Sequence, residues 1–279
     1  NDERALQNSV QLFNPLKPTL APEQSVTMDI YWIAGPAQGR PSEITALIPQ
    51  GASLHIVDSV AQLEISLAAN ASQAVLVIAD METALSDAMN NLSSARQGSM
   101  SSWALVVLAD DATEASMCSC IRSGAIDMVP LSYARDYLSD IVNKHITSTG
   151  AFRIEPDNKV VAIDGHGAMA RIASDHDFFG SLLRTFFDEL PERLQRLRDD
   201  WSQNTTQIKH SSHSLKGLAL TLGLGSLGKV AAQAETLASE PGATLDAALL
   251  LQLEGEIQSA RLSILRWLFA YSDYSGVAS

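Results

Sequence analysis

The chain has 279 residues, a length more typical of two domains than of one. Hydrophobic residues make up 46% and charged residues 18% of it, which indicates a folded protein rather than a disordered one. The net charge of −13 argues against a nucleic-acid partner, whose phosphates need a basic face, and against an anionic membrane surface.

The cysteines and the hydropathy pattern indicate in which cellular compartment the chain folds. Cys118 and Cys120 are two residues apart, a spacing that suits neither a disulfide framework nor a zinc ligand set. We therefore expect a reducing, cytoplasmic compartment. The chain has no apolar run of about 18 residues, so we predict no membrane span within it.

The first half of the chain alternates between two patterns. Residues 1–27 contain three prolines between 14 and 25 and are interpreted as a linker or N-terminal segment. Residues 28–146 contain helical stretches between five apolar runs, which are MDIYWIAG, ASLHIVD, AVLVIAD, WALVVLAD and AIDMVPL. Apolar strands that alternate with helices predict a parallel sheet covered on both faces, here an α/β domain with a flavodoxin-like fold.

The second half predicts helices only. Residues 147–170 mix Gly, Pro, Asp and Asn and are interpreted as a linker. From 171 to 279 the stretches are amphipathic at helical spacing, which predicts an all-α four-helix bundle. Pro191 interrupts the first helical stretch, where we expect a kink or a break.

The stretch HSSHSLKGLALTLG, residues 210–223, contains the main candidate site. At about 100° per residue, its helix has one apolar stripe. That stripe contains Ile208, Leu215, Leu218, Ala219 and Leu222. His213 lies opposite the stripe, so it is predicted to face solvent rather than to pack in the core.

Three interpretations of His213 are possible: a metal site, a surface histidine without function, or a phosphate acceptor. Its neighbours favour the phosphate acceptor. Lys216 repels a cation, and no carboxylate or cysteine in the stretch completes a ligand set with His210, so we predict no metal here. Lys216 would instead stabilise a phosphoryl group on the imidazole. Gly217 costs helix stability and would give a partner access, while His210 and Leu220 would belong to its docking surface.

At this point the sequence HSLKGLALTLGLGSLGKVAAQAETL resembles the motif of histidine phosphotransfer (HPt) domains. His213, Lys216, Gly217 and Gly223 match that motif position by position, whereas Ser212 replaces the usual alanine. The resemblance implies that His213 accepts a phosphoryl group from a receiver phosphoaspartate and passes it to a response regulator. It also implies receiver domains as partners and no cofactor in this chain, since the receiver supplies Mg²⁺.

Beside such a domain, residues 28–146 resemble a receiver domain that has lost its chemistry. Asp80 ends the third strand, where receivers carry their acceptor aspartate, but no acidic pair follows the first strand. Ala109 stands where receivers have a hydroxyl, and Pro130 or Leu131 replaces their lysine. A single carboxylate holds Mg²⁺ poorly, so we expect Asp80 to cap the next helix. Asp110 or Asp111 is expected to cap the following helix, TEASMCSC, rather than to form a partial acidic cluster with Asp80.

The combination of a receiver-like domain and an HPt-like domain predicts that the chain is the C-terminal part of a hybrid sensor kinase. The chain does not begin with methionine, so we expect an upstream kinase domain, in a cytoplasmic protein or in the cytoplasmic part of a membrane-bound one. The chain has no ATP-binding motif of its own. The alternatives are a stand-alone adaptor, in which the receiver-like domain binds a partner, and a scaffold without phosphotransfer.

Overall fold

The computed structural model describes part of the chain in detail. The described residues are 28–33, 52–69, 74–96, 103–110, 112–136, 163–164, 167–169, 175–201, 204–240, 242 and 244–271. The segment predicted at 1–27, the helical stretch predicted between the first two apolar runs and most of the linker predicted at 147–170 lie outside them. No helix of the described part is long and apolar enough to cross a membrane.

The first half of the chain forms one five-stranded sheet in which every pair of neighbours is parallel. Each of the five predicted apolar runs contains one strand, and their order across the sheet is β2-β1-β3-β4-β5. The strands are β1 (Met28–Ile33), β2 (Ala52–Val57), β3 (Ala74–Asp80), β4 (Trp103–Leu108) and β5 (Ala125–Val129). This order is compatible with a flavodoxin-like fold.

The helices that follow these strands are short. They are α1 (Val60–Ala69), α2 (Met81–Ala84), α3 (Asp87–Arg96), α4 (Glu114–Arg122) and α5 (Leu131–Asp136). The helical stretch predicted between the third and fourth apolar runs is divided between α2 and α3. The Oγ atom of Ser86 accepts a hydrogen bond from the Met89 amide at 3.2 Å, which starts a new helix there.

Four long helices make up the C-terminal bundle. They are α6 (His176–Asp200), α7 (Thr205–Thr221), α8 (Gly225–Ala238) and α9 (Ala247–Tyr271). Contacts between α6 and α7, α7 and α8, α8 and α9, and α9 and α6 close a ring, so α7 lies diagonally across the bundle from α9. Of the kink or break expected at Pro191, the break does not occur, since α6 continues through this exposed residue.

Gly223 ends α7 and attaches part of the predicted linker to the bundle. Its φ of +78° is the left-handed conformation that glycine adopts most easily, and Leu224 N donates to Ala219 O at 2.8 Å in a Schellman-type end. The carbonyl of Gly223 accepts from Asp164 N at 3.0 Å, and a Cβ on Gly223 would lie 2.7 Å from Asp164 O. Ile163 is buried beside this contact point.

Helix α9 covers the free edge of the sheet. In the strand order β5 is an edge strand, whose outer backbone groups would otherwise remain open to pairing with another chain. Arg266 on α9 is only 6% exposed and donates through Nη1 to Ala125 O at 3.4 Å and to Ile126 O at 3.0 Å. The bundle therefore supplies hydrogen-bond donors to the sheet edge.

Further polar contacts fix the two halves of the chain to each other. Arg184 on α6 donates to both carboxylate oxygens of Glu114 on α4, at 2.5 and 2.9 Å. These hydrogen bonds to Glu114 raise the pKa of the Arg184 guanidinium above its ordinary value. One cluster of buried apolar side chains continues from the sheet, through Met117, to Leu262 in α9. The predicted sheet domain and bundle therefore share one core.

The edge contact gives a stability prediction. Arg266→Leu leaves the carbonyl oxygens of Ala125 and Ile126 without this donor, and we expect the free energy of unfolding to fall by about 2–3 kcal/mol. Arg196→Leu is the matched control, because Arg196 is exposed on α6 and its ion pair, with Glu192 four residues away, is also exposed. Arg196→Leu should lower the free energy of unfolding, measured by urea denaturation, by less than about 0.5 kcal/mol. Equal losses in the two variants would contradict the role given to Arg266.

Candidate functional site

Helix α7 presents His213 to solvent, as its sequence pattern predicts. The side chain of His213 is 69% exposed. Four of the five stripe residues are buried, namely Ile208, Leu215, Ala219 and Leu222. The prediction for Leu218 is wrong, since it is 36% exposed at the border of the stripe. Ser212 points into the bundle, and its hydroxyl has no hydrogen-bond partner among the described residues.

A glutamate from the next helix connects the two polar residues of the predicted site. Glu235 on α8 places one carboxylate oxygen 2.7 Å from Nδ1 of His213. Its other oxygen accepts a hydrogen bond from Nζ of Lys216 at 2.5 Å. Sequence reasoning missed Glu235, although a carboxylate beside the apolar stripe of the helix after α7 was a usable signal.

The ionisation of Glu235 decides which nitrogen of the His213 ring donates to it. The hydrogen bond from Lys216, and then the one from His213, lower the pKa of the Glu235 carboxyl below its ordinary value. An ionised carboxylate can only accept, so Nδ1 of His213 is the donor, and in the neutral form of the imidazole Nε2 is the nitrogen that keeps its lone pair. This arrangement is intact above the ordinary carboxyl range and is lost as the pH falls through the lowered pKa of Glu235.

The surface around the imidazole is open. A Cβ added to Gly217 would meet no atom of the chain within 4 Å, so the helix itself does not require glycine there. Leu220 is 47% exposed, one turn farther along α7. It also packs against α8 at Gly228, where a Cβ would lie 2.6 Å from Leu220 Cδ2. His210 is exposed and lines a groove of about 220 Å³ between α6 and α7.

Asp80 and Asp110 of the sheet domain each accept a hydrogen bond from a backbone N–H of a helix. Asp80 Oδ1 accepts from Thr83 N at 2.7 Å and caps α2, as expected. Asp110 does not cap α4, whose N-cap is Thr113; instead Asp110 Oδ1 accepts from Leu131 N at 3.0 Å. Asp111 lies outside the described residues. Within the described residues, no group of three or more His, Cys, Asp or Glu side chains could hold a metal ion.

Comparison with known proteins agrees with this geometry. Residues 181–262 match the family model of the Hpt domain, a range that begins in α6, ends in α9 and includes His213. The C-terminal helical region therefore fits an Hpt domain, and Hpt domains act in phosphorelays by histidine phosphotransfer with receiver domains. Comparison with curated proteins and with solved structures gave no match.

The contact between His213 and Glu235 can be tested by the position of the ring proton. In the intact protein we expect the neutral imidazole to carry its proton mainly on Nδ1, because the ionised carboxylate accepts it. Glu235→Ala should shift the tautomer population toward Nε2–H, measured from the ¹⁵N shifts of His213. Glu240→Ala removes an exposed carboxylate beyond the end of α8 and should leave the tautomer unchanged. Unchanged ¹⁵N shifts in Glu235→Ala would refute the assigned contact.

Proposed function

We propose that His213 accepts a phosphoryl group from the phosphoaspartate of a receiver domain and passes it to a response regulator. One observation supports this most directly. The imidazole is exposed, and Nδ1 is held 2.7 Å from an oxygen of Glu235 while the opposite nitrogen points away from that contact. A nucleophile needs a free lone pair and an approach path, and this arrangement gives Nε2 both.

The proposed step is an in-line displacement. The Nε2 lone pair attacks phosphorus, an N–P bond forms, and the P–O bond to the receiver aspartate breaks with its electron pair going to the leaving carboxylate. The Nδ1 proton stays on the ring, where Glu235 stabilises the positive charge that develops. The partner receiver would supply Mg²⁺, so this chain contributes no cofactor. Transfer to the response regulator is the reverse reaction on a second receiver.

Lys216 and Gly217 have different roles in this proposal. Lys216 uses one of its three N–H bonds on Glu235, which leaves donors for a phosphoryl oxygen near the ring. Gly217 has no side chain to project from the helix one turn from His213, so a receiver can bring its aspartate into contact with the imidazole. Leu220 and His210 are the proposed docking residues beside it.

The donor in this proposal is another receiver rather than the sheet domain of the same chain. The bundle meets the sheet through α9 and Arg184, while His213 belongs to α7, diagonally across the bundle from α9. The Asp80 carboxylate is occupied as the cap of α2. We therefore propose that residues 28–146 are a degenerate receiver that retains the fold and has lost phosphoryl transfer.

For the whole protein we propose the C-terminal part of a hybrid sensor kinase. The pairing of a receiver-like sheet with an Hpt bundle supports this, because both modules belong to phosphorelays. The second candidate is an adaptor in which the degenerate receiver binds a protein partner. The sequence of the natural gene distinguishes the two candidates. The gene of a hybrid kinase continues upstream into a dimerisation helix pair and an ATP-binding domain, and the gene of an adaptor does not.

The function is tested by offering the chain a phosphorylated receiver and following the label. We expect transfer to the chain, with a product that is labile in acid and stable in base, as a phosphohistidine is. His213→Gln should abolish the label, since no other residue takes over the nucleophile. His210→Gln is the matched control, because His210 is the other histidine of α7 and should be dispensable for chemistry. Label retained in His213→Gln would refute the proposal.

The role of Gly217 needs variants that separate access from folding. Gly217→Ala should keep or raise bundle stability, by about 1 kcal/mol at most, because its Cβ meets no other atom of the chain. Transfer should nevertheless slow, and Gly217→Gln should slow it further because a larger side chain blocks the partner. Unaltered transfer rates in both variants would show that the partner does not approach over Gly217.

The degenerate receiver is tested separately. Acetyl phosphate with Mg²⁺ should leave Asp80 unmodified, since one carboxylate already used as a helix cap cannot hold the ion firmly. Mass spectrometry of the intact chain measures the modification, and a working receiver treated in parallel is the control. Mg²⁺-dependent phosphorylation of Asp80 would overturn this assignment and make the chain a complete relay.

A further inference from the structure

A cleft between the sheet and the bundle has the position and size of a small-molecule site. Its volume is about 580 Å³, within the range of sites for small ligands. Asp110 and Pro130 bring the carboxyl ends of β4 and β5 to one wall, and α6 and α9 form the other. In open α/β sheets, ligands bind outside the carboxyl ends of the strands. The cleft is separate from the surface around His213.

Two buried polar atoms in the wall of this cleft lack partners. Gln258 is 7% exposed and donates through Nε2 to Asp110 O at 3.2 Å. Its Oε1 and the Nε of Arg261 have no hydrogen-bond partner among the described residues. Buried polar atoms are normally paired, so an orphan acceptor and an orphan donor on one face of α9 require an explanation.

The charges in the wall are also only partly matched. Arg198 and Glu254 form an ion pair at 2.6 Å, so these two residues neutralise each other. Arg261 donates to Ala112 O at 3.3 Å and lies over the Phe187 ring at 4.9 Å, but it forms no direct ion pair within the described residues. Asp110 accepts a backbone N–H from Leu131 and likewise forms no direct ion pair in the described part of the chain. One cation and one anion without a direct ion-pair partner therefore share the cleft.

We propose that this cleft binds a free α-amino acid with an apolar side chain. Its carboxylate would accept from the Arg261 guanidinium, and its ammonium group would donate to Gln258 Oε1 and to the Asp110 carboxylate. Its side chain would pack against Leu194 and Ile257, which also line the cleft. The orphan atoms are buried in the unliganded chain, so they reach the ligand by rotation of the Arg261 and Gln258 side chains, which exchanges the hydrogen bonds to Ala112 O and Asp110 O for bonds to the ligand.

A ligand with opposite charges at its two ends matches this wall better than a polyanion does. A nucleotide or inorganic phosphate would place its negative charge beside Asp110 and Glu254 and leave Gln258 Oε1 without a donor. An uncharged apolar molecule would leave both orphan atoms unpaired. The proposal concerns a site other than His213, and its outcome does not depend on phosphotransfer.

The test is a titration of the whole chain with the twenty L-amino acids, each followed by thermal shift and calorimetry. We expect saturable binding of at least one apolar amino acid, such as leucine or phenylalanine, and none of phosphate or a nucleotide. The N-acetyl derivative, which lacks the ammonium group, and the carboxamide, which lacks the carboxylate, should each bind at least about tenfold more weakly. These ligand arms use the unaltered protein and so do not depend on how variants fold.

Two variants then assign the contacts. Arg261→Gln and Gln258→Leu should each weaken binding by about tenfold or more, whereas Arg196→Gln, in the groove between α6 and α7, should leave it unchanged. The proposal is overturned if no amino acid binds, if the blocked derivatives bind equally well, or if both variants retain full affinity. Binding of phosphate or a nucleotide in preference to an amino acid would also overturn it.

Discussion

Helix α9 packs against two different structures at once, and the arrangement of the whole chain depends on this. One side of it contacts α6 and α8 in the bundle, and the other contacts the edge of the sheet at β5. A helix that serves two neighbours is buried almost all round, and from Ile257 to Leu268 only Arg261 is not fully buried. Arg266 is tolerated in this setting because the open carbonyls of β5 need its donors.

The arrangement explains how one chain can keep a sheet close to the bundle without involving it in the candidate site. Contact with the sheet uses α9 and the ion pair between Arg184 and Glu114, which leaves α7 and α8 exposed on the side where His213 and Glu235 meet. The interface and the site therefore use different faces of the same four helices. A change in one need not disturb the packing of the other.

Much of the fold was predictable because it follows from local periodicity. The five strands are apolar runs of strand length between turn residues, and the stripe of α7 has a period that only a helix satisfies. Features set by contacts distant in sequence were not predictable. Glu235 reaches His213 only because of the register between two helices, and Asp110 contacts α5 rather than α4 because of how two loops meet. The cover that Arg266 gives to β5 joins residues about 140 positions apart.

The way the bundle is attached also determines how its histidine can be reached. A domain carried on a flexible linker could turn toward successive partners, but a bundle fixed along a strand edge has no such freedom to swivel. The direction in which His213 points is constant in the frame of the sheet. In the proposed phosphotransfer, donor and recipient receivers would therefore have to approach the same fixed face and occupy it in turn.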